Sequence, residues 1–143
     1  MRKAFIDSSA FLSLVNPHDV HHAEARVIWT RLTGEHWRTF TSNFVVAETH
    51  ALFLARIGRQ RAASFLEQIN TSATLVLRVT LPDEQAATAI VLRYDDKDFS
   101  LTDATSFAIM RRLQIPSAFT FDKNFSQYGL PVLTDADHQA SQQ

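Results

Sequence analysis

Four acidic residues in this chain stand where carboxylate chemistry would need them. Asp7 ends the apolar run Ala4-Phe5-Ile6 and is followed by two small hydroxyl residues, Ser8 and Ser9. Glu48 lies mid-way along a helical pattern, with Phe44 and Leu52 four residues to either side and Val45 and Ala51 three. Asp103 closes the pattern Ser100-x-x-Asp103, and Asp122 directly follows the apolar run that ends at Phe121. Three of them have an ordinary reading alone: a helix cap for Asp7, a salt bridge with an Arg for Glu48, the third residue of a capped helix for Asp103. Gathered in one place, they would repel one another and stay ionised together only around a divalent cation. All-carboxylate ligation with room for water suits Mg2+ or Mn2+ rather than zinc. A cation so held lowers the pKa of a coordinated water and stabilises charge on a phosphoryl oxygen, so the implied substrate is a phosphate ester.

Whether the four acids meet depends on the elements that carry them. The run ending at Asp7 reads as a strand, and Ser8 or Ser9 can cap a helix beginning near Ala10. That short apolar helix (Phe11, Leu12, Leu14, Val15) ends at Asn16-Pro17. His18 to Arg31 is expected to be helical, with Ala23, Val27, Ile28 and Leu32 inward and Gly34 as the stop. Trp37 to Thr41 reads as a second strand, and Ser42 or Asn43 caps a helix from Phe44 to Ile57 that Gly58 ends. On that helix Glu48 falls on the apolar face, where a carboxylate is costly unless paired, protonated or bound to a cation. Arg59 to Ile69 is a further helix, Leu75 to Val79 a third strand, and Leu81 to about Tyr94 a helix with Pro82 and two acids in its first turn. Asp95 to Asp98 make a turn, with Asp96 and Asp98 as turn residues. The capped helix after Ser100 runs to Leu113, with Asp103 on the face of Phe107. Ser117 to Phe121 is another strand that delivers Asp122, with Thr120 adding a hydroxyl two residues earlier. Lys123 and Asn124 read as a turn, and Pro131-Val132-Leu133 as a short edge strand.

This alternation predicts an α/β fold: a three-layer α/β/α sandwich with a central, mostly parallel twisted sheet. Short connections and right-handed crossovers bring strand C-termini to one edge, where open sheets bind ligands. Asp7 and Asp122 fall at strand ends, and Glu48 and Asp103 near the first turns of helices that start there.

The composition fits one domain spanning residues 1–143, with 134–143 expected to fray as a polar tail. Hydrophobic residues make up 45% of the chain and charged residues 20%, an ordinary soluble balance, and eleven Phe supply core volume. No cysteine is present, which excludes disulfides and thiolate metal sites. No signal-peptide pattern and no membrane-length apolar run occur, so the expected location is cytoplasmic. A net charge of -1 argues against broad, non-specific nucleic-acid binding but not against a local basic rim. Arg56, Arg59 and Arg61 form a small basic cluster that could touch a nucleic-acid backbone. His18, His21 and His22 lack an acidic or thiol partner to complete a metal motif and read as a solvated helix start.

The segments Phe-Ile-Asp-Ser-Ser, Thr-Ser-Asn-Phe-Val-Val-Ala-Glu-Thr, Phe-Ser-Leu-Thr-Asp-Ala-Thr-Ser-Phe-Ala and Thr-Phe-Asp-Lys-Asn-Phe, in this order, resemble the acidic motifs of PIN-domain ribonucleases. They are most similar to VapC toxins of bacterial toxin–antitoxin pairs, over residues 4 to about 133. The resemblance implies an endoribonuclease with Asp7 and Asp103 as principal metal ligands. Glu48 and Asp122 would complete the site directly or through water, with Thr120 orienting Asp122 or a water, and Ser8 in support. It also implies hydrolysis that leaves a 5′-phosphate and a 3′-hydroxyl, a homodimer, and a small antitoxin protein that blocks the site. Two other readings remain: a non-catalytic PIN-like module that binds RNA or protein, and a metal-dependent phosphatase. A phosphoacceptor receiver domain fits less well, because no mid-chain strand ends in Asp.

Overall fold

A computed structural model describes residues 2–136. The expected polar tail therefore lies mostly outside the described residues. Among them, four strands form one all-parallel sheet in the order β3-β2-β1-β4. They are β1 (Lys3–Ile6), β2 (Arg38–Ser42), β3 (Leu75–Leu77) and β4 (Ser117–Phe119). Helices α1 (Ser8–Val15) and α2 (His22–Gly34) join β1 to β2, and α3 (Asn43–Arg56) and α4 (Arg59–Thr71) join β2 to β3. Helices α5 (Leu81–Arg93) and α6 (Leu101–Arg112) lead from β3 to β4, and α7 (Lys123–Tyr128) follows. The chain steps outward from β1 to β3, then returns to the other side of β1. Right-handed crossovers put the helices of these two journeys on opposite faces, giving the three layers.

The core explains why these segments hold. Residues 4–6 of β1 are buried on both faces, as in a central parallel strand. On one face Phe11 and Phe53 both pack against Phe65, with ring centroids 5.1 and 5.2 Å apart. On the other, Phe107 stacks on Tyr128 at 4.5 Å and meets Phe125 edge-on at 5.0 Å. Burying each such ring stabilises the fold by about 2–3 kcal/mol. Asp83, nearly fully buried on α5, is held by Arg112 of α6 through two hydrogen bonds of 2.8 and 2.9 Å, which clamps that helix pair.

Several boundaries differ from the sequence expectations, each for a local reason. Helix α2 starts at His22, not His18, because Asp19 Oδ1 accepts from the His21 N–H and the Ser13 hydroxyl and holds residues 16–21 in turns. Its inward face is Ala25, Ile28 and Leu32, whereas Ala23 and Val27 are exposed. Gly34 is the last helical residue, and the left-handed position after it belongs to His36 (φ 56°). Strand β3 ends at Leu77, and the Val79 N–H instead donates to Asn43 Oδ1 at 2.8 Å. Strand β4 ends at Phe119, so residues 120–122 form a loop. Lys123 and Asn124 open the six-residue helix α7 rather than a turn, because Asp122 caps it by accepting from the Asn124 N–H. Residues 131–133 contribute only a bridge from Val132 to Ala118.

Candidate active site

Between β1 and β4 the connections leave the sheet in opposite directions, which makes this gap the topological switch point where α/β sheets open a crevice. Ile6 pairs with Phe119, so Asp7 and Thr120 leave the sheet side by side. The Asp7 N–H donates to the Phe119 carbonyl at 3.1 Å and extends the ladder by one bond. Asp7 stands at the position before α1, and its backbone carbonyl accepts from Ala10 and Phe11. Its side chain caps nothing. Helix α1 begins at Ser8, so neither serine serves as the expected cap.

The Asp7 carboxyl turns toward β4. Oδ2 accepts from the Thr120 hydroxyl at 2.9 Å and the Ser9 hydroxyl at 3.0 Å. Each hydroxyl in turn accepts a backbone N–H: Asp122 donates to Thr120 at 3.0 Å and Phe121 donates to Ser9 at 2.9 Å. Each amide occupies one acceptor site of its hydroxyl, and each hydroxyl gives its single proton to Asp7. The 3.1 Å approach between Ser9 and Thr120 then carries no proton of its own. Oδ1 is different: it is buried and has no hydrogen-bond partner.

The other three acids reach the same edge from separate elements. Glu48, half-buried on α3, accepts the Ser8 hydroxyl at 2.5 Å, and among the described residues no Arg pairs with it. The inward face of α3 is Val45, Thr49 and Phe53, with Ala51 exposed, so Glu48 sits at the margin of the core rather than on its apolar face. Asp103 occupies the third position of α6 in a complete capping box with Ser100, and only 5% of it is exposed. Its hydrogen bonds from the Ser100 N–H (3.2 Å) and the Asn124 amide (2.9 Å) both fall on Oδ2. Asp122 caps α7, and Thr120 therefore hydrogen-bonds the Asp122 backbone and the Asp7 carboxyl, not the Asp122 carboxyl.

Their electrostatics report mutual proximity. Burial first, then the charges of Asp103 and Glu48, push the Asp7 pKa up to about 7 against the pull of the Thr120 and Ser9 hydroxyls. Glu48 is raised by burial, then by Asp103 and Asp122, against the opposing Ser8 bond. Asp103 is raised by burial and by Asp122, against the Asn124 and Ser100 bonds. A buried carboxylate oxygen without a donor, facing like charges, is the condition a cation relieves. Among the described residues no group of three or more His, Asp or Glu side chains is placed to hold a metal ion. The donor set therefore fits a hard cation that binds through one or two carboxylates and keeps several waters, as Mg2+ does.

A protein-family pattern, the PIN domain, matches residues 4–130. The chain belongs to the PIN domain family. It is 34% identical over 125 residues to the 23S rRNA-specific endonuclease VapC20 of Mycobacterium tuberculosis, covering 87% of this chain and 93% of that protein. The crystal structure of M. tuberculosis VapC20, a Sarcin-Ricin loop cleaving toxin, matches with a TM-score of 0.80 and 35% identity over 89% of this chain and 95% of that one. The fold also matches FitAcB from Neisseria gonorrhoeae, with a TM-score of 0.68 and 14% identity over 93% of this chain and 98% of that one. VapBC2 from Rickettsia felis, bound to a DNA fragment from its promoter, matches with a TM-score of 0.66 and 12% identity over 92% and 97%.

In this PIN domain two contributors were not singled out from the sequence. The sequence marks Ser9 only as a possible helix cap and Asn124 only as a turn residue. The signal available for both was adjacency, Ser9 two residues after Asp7 and Asn124 two after Asp122. The Arg cluster lies elsewhere: Arg56 ends α3 about 12 Å along the helix from Glu48, at the opposite edge of the sheet. His22 Nδ1 lies 2.7 Å from the Ser13 carbonyl, a contact that ties the start of α2 to α1. Asp96 pairs with Lys97 in an exposed turn. A cavity of about 630 Å³ opens between α5, α6 and α7, lined by Arg93, Arg111 and Tyr128, and includes none of the four acids.

Proposed function

We propose that the chain acts as a single-domain endoribonuclease toxin of a type II toxin–antitoxin pair, with Mg2+ or Mn2+ in the carboxylate pocket. The observation that carries this reading is the buried, donorless Oδ1 of Asp7 at the switch point, flanked by Glu48 and Asp103. The similarity to VapC20 along 87% of the chain supports the toxin assignment and makes ribosomal RNA the first substrate to test.

In this reading Asp7 and Asp103 hold the cation, and Glu48 and Asp122 complete its surroundings directly or through water. The bound cation supplies Lewis-acid stabilisation of the scissile phosphate and a water more acidic than bulk. Thr120 and Ser9 fix the Asp7 carboxyl through Oδ2 and leave Oδ1 without a donor. Asn124 and the Ser100 amide do the same for Asp103, engaging Oδ2. Ser8 restrains Glu48. Such supporting bonds tune affinity as strongly as some ligands do. A small antitoxin protein that covers this edge would silence the enzyme, and a homodimer acting in the cytoplasm completes the proposal. No helix among the described residues is long and apolar enough to cross a membrane.

The test is cleavage of ribosomal RNA with Mg2+, Mn2+ or a chelator, by the native chain and by Asp7→Asn and Asp103→Asn. Metal-dependent strand scission that both substitutions abolish is expected. Scission that survives both, or that persists in chelator, would overturn the assignment. Binding without scission would favour the non-catalytic reading, and hydrolysis of small phosphate esters but not RNA the phosphatase reading.

A further inference from the structure

Beside the acid cluster stands a ring pair that no role above uses. His21 and Phe121 lie face to face, with centroids 4.5 Å apart and planes 7° from parallel. Phe121 sits between Thr120 and Asp122 in the chain, so the pair borders the pocket by covalent connection. Both rings are held from behind. The Phe121 N–H is tied to Ser9, and its ring meets Phe119 edge-on at 6.0 Å. The His21 N–H is tied to Asp19 Oδ1 at 2.8 Å, just before α2 begins. His21 itself is exposed, and among the described residues its ring makes no hydrogen bond.

An exposed imidazole stacked on a half-buried Phe is an unfinished stack. One face of His21 is covered by Phe121, while the residue as a whole remains exposed. Flat rings with one open face receive unpaired bases in single-stranded RNA, His among them. We propose that His21, backed by Phe121, is a stacking platform for an unpaired nucleobase next to the scissile phosphate. This inference rests on the nuclease reading for its substrate. The stack needs a π-face and no proton, so an aromatic hydrocarbon in place of His21 preserves it.

The experiment uses the full chain and a hairpin RNA with 2-aminopurine in its loop, whose fluorescence falls when the base stacks. Cleavage with Mn2+ is followed in parallel for the native chain, His21→Ala and His21→Phe. His21→Ala should raise KM about tenfold, within the range of one base–aromatic stack, leave kcat near native, and remove the quench. His21→Phe should restore both. An Ala variant with native KM and native quench would overturn the platform. So would a Phe variant as impaired as Ala, which would point to imidazole protons, or an Ala variant impaired only in binding an antitoxin protein. Quenching by a native chain that cleaves nothing would support the platform while sinking the nuclease reading. Cleavage with no response to His21→Ala would do the reverse.

Discussion

Replacing Asp7 with Asn should stabilise the cation-free protein above neutral pH and abolish its response to divalent metal. Asp7 is 2% exposed, and its pKa is pushed from 3.8 to about 7, chiefly by burial. The unfolded chain gives up this proton near 3.8, so between there and about 7 the folded state binds more protons. Stability conferred at low pH is therefore lost as pH rises through that window. The full cost above pH 7 is about 4 kcal/mol, at 1.36 kcal/mol per pH unit. Asn keeps an oxygen for Thr120 and Ser9 and carries no charge. Its amide N–H2 group takes the place of Oδ1, which is buried without a hydrogen-bond partner, and left unpaired there it gives back about 2 kcal/mol. The net gain at pH 8 is about 2 kcal/mol, or roughly 6–8 °C in Tm for a domain of this size. A cation at a hundred times its Kd should raise the native chain by about 2.7 kcal/mol and the variant not at all. Thermal melts of both proteins in chelator from pH 5 to 8.5, then with Mn2+, read all of this. The difference between the two proteins isolates Asp7 from every other titrating group. An Asn variant no more stable than native at pH 8, or one that Mn2+ stabilises equally, would refute the reasoning.

Three further outcomes are expected. Thr120→Val removes a donor to Asp7 and strands the Asp122 N–H, so it should cost about 1–2 kcal/mol and move the acidic limb of the pH–rate profile upward; urea melts and cleavage profiles check it. Asn124→Ala removes the amide that lowers the Asp103 pKa, and should weaken Mn2+ binding by roughly tenfold in a calorimetric titration. Arg112→Met strands the buried Asp83, whose pKa burial raises but the Arg112 and Thr80 bonds hold below the usual carboxylate range. It should cost about 2–3 kcal/mol in urea at neutral pH and less on acidification, with cleavage by the folded fraction unchanged.

What the sequence made legible follows from which forces act locally. The capping box at Ser100 and Asp103 lies within one turn, and the structure contains it in full. The strands ending at Asp7 and near Thr120 were visible because a buried parallel strand is a run of apolar residues. Boundaries failed where a side chain far along the chain, or a turn, took over a backbone group. Asn43 captures the Val79 N–H across 36 residues, and Asp19 organises a loop that periodicity read as helix. Ser9 was hidden for the same reason. Its contact with Phe121 spans 112 residues, and nothing about a serine two places after an aspartate announces it.

The sequence also left open the step on which the site depends, which is the order of the strands. Alternating strands and helices fit a sheet that grows in one direction as well as one that turns back. In the first arrangement β4 would lie beside β3, three strand spacings or about 14 Å from β1. Asp7 and Asp122 would then end distant strands, and no hydroxyl of Thr120 could reach Asp7. The observed order places β4 against β1, one spacing of about 4.8 Å away, with Ile6 in register with Phe119. That single reversal makes neighbours of Asp7 and Thr120 and brings Asp122, just past the end of β4, to the edge where it acts on Glu48 and Asp103. The long return through α5 and α6 also delivers Asp103 to the same edge. Strand order is fixed by which faces each helix pair can cover, a property of the assembled layers rather than of any one segment.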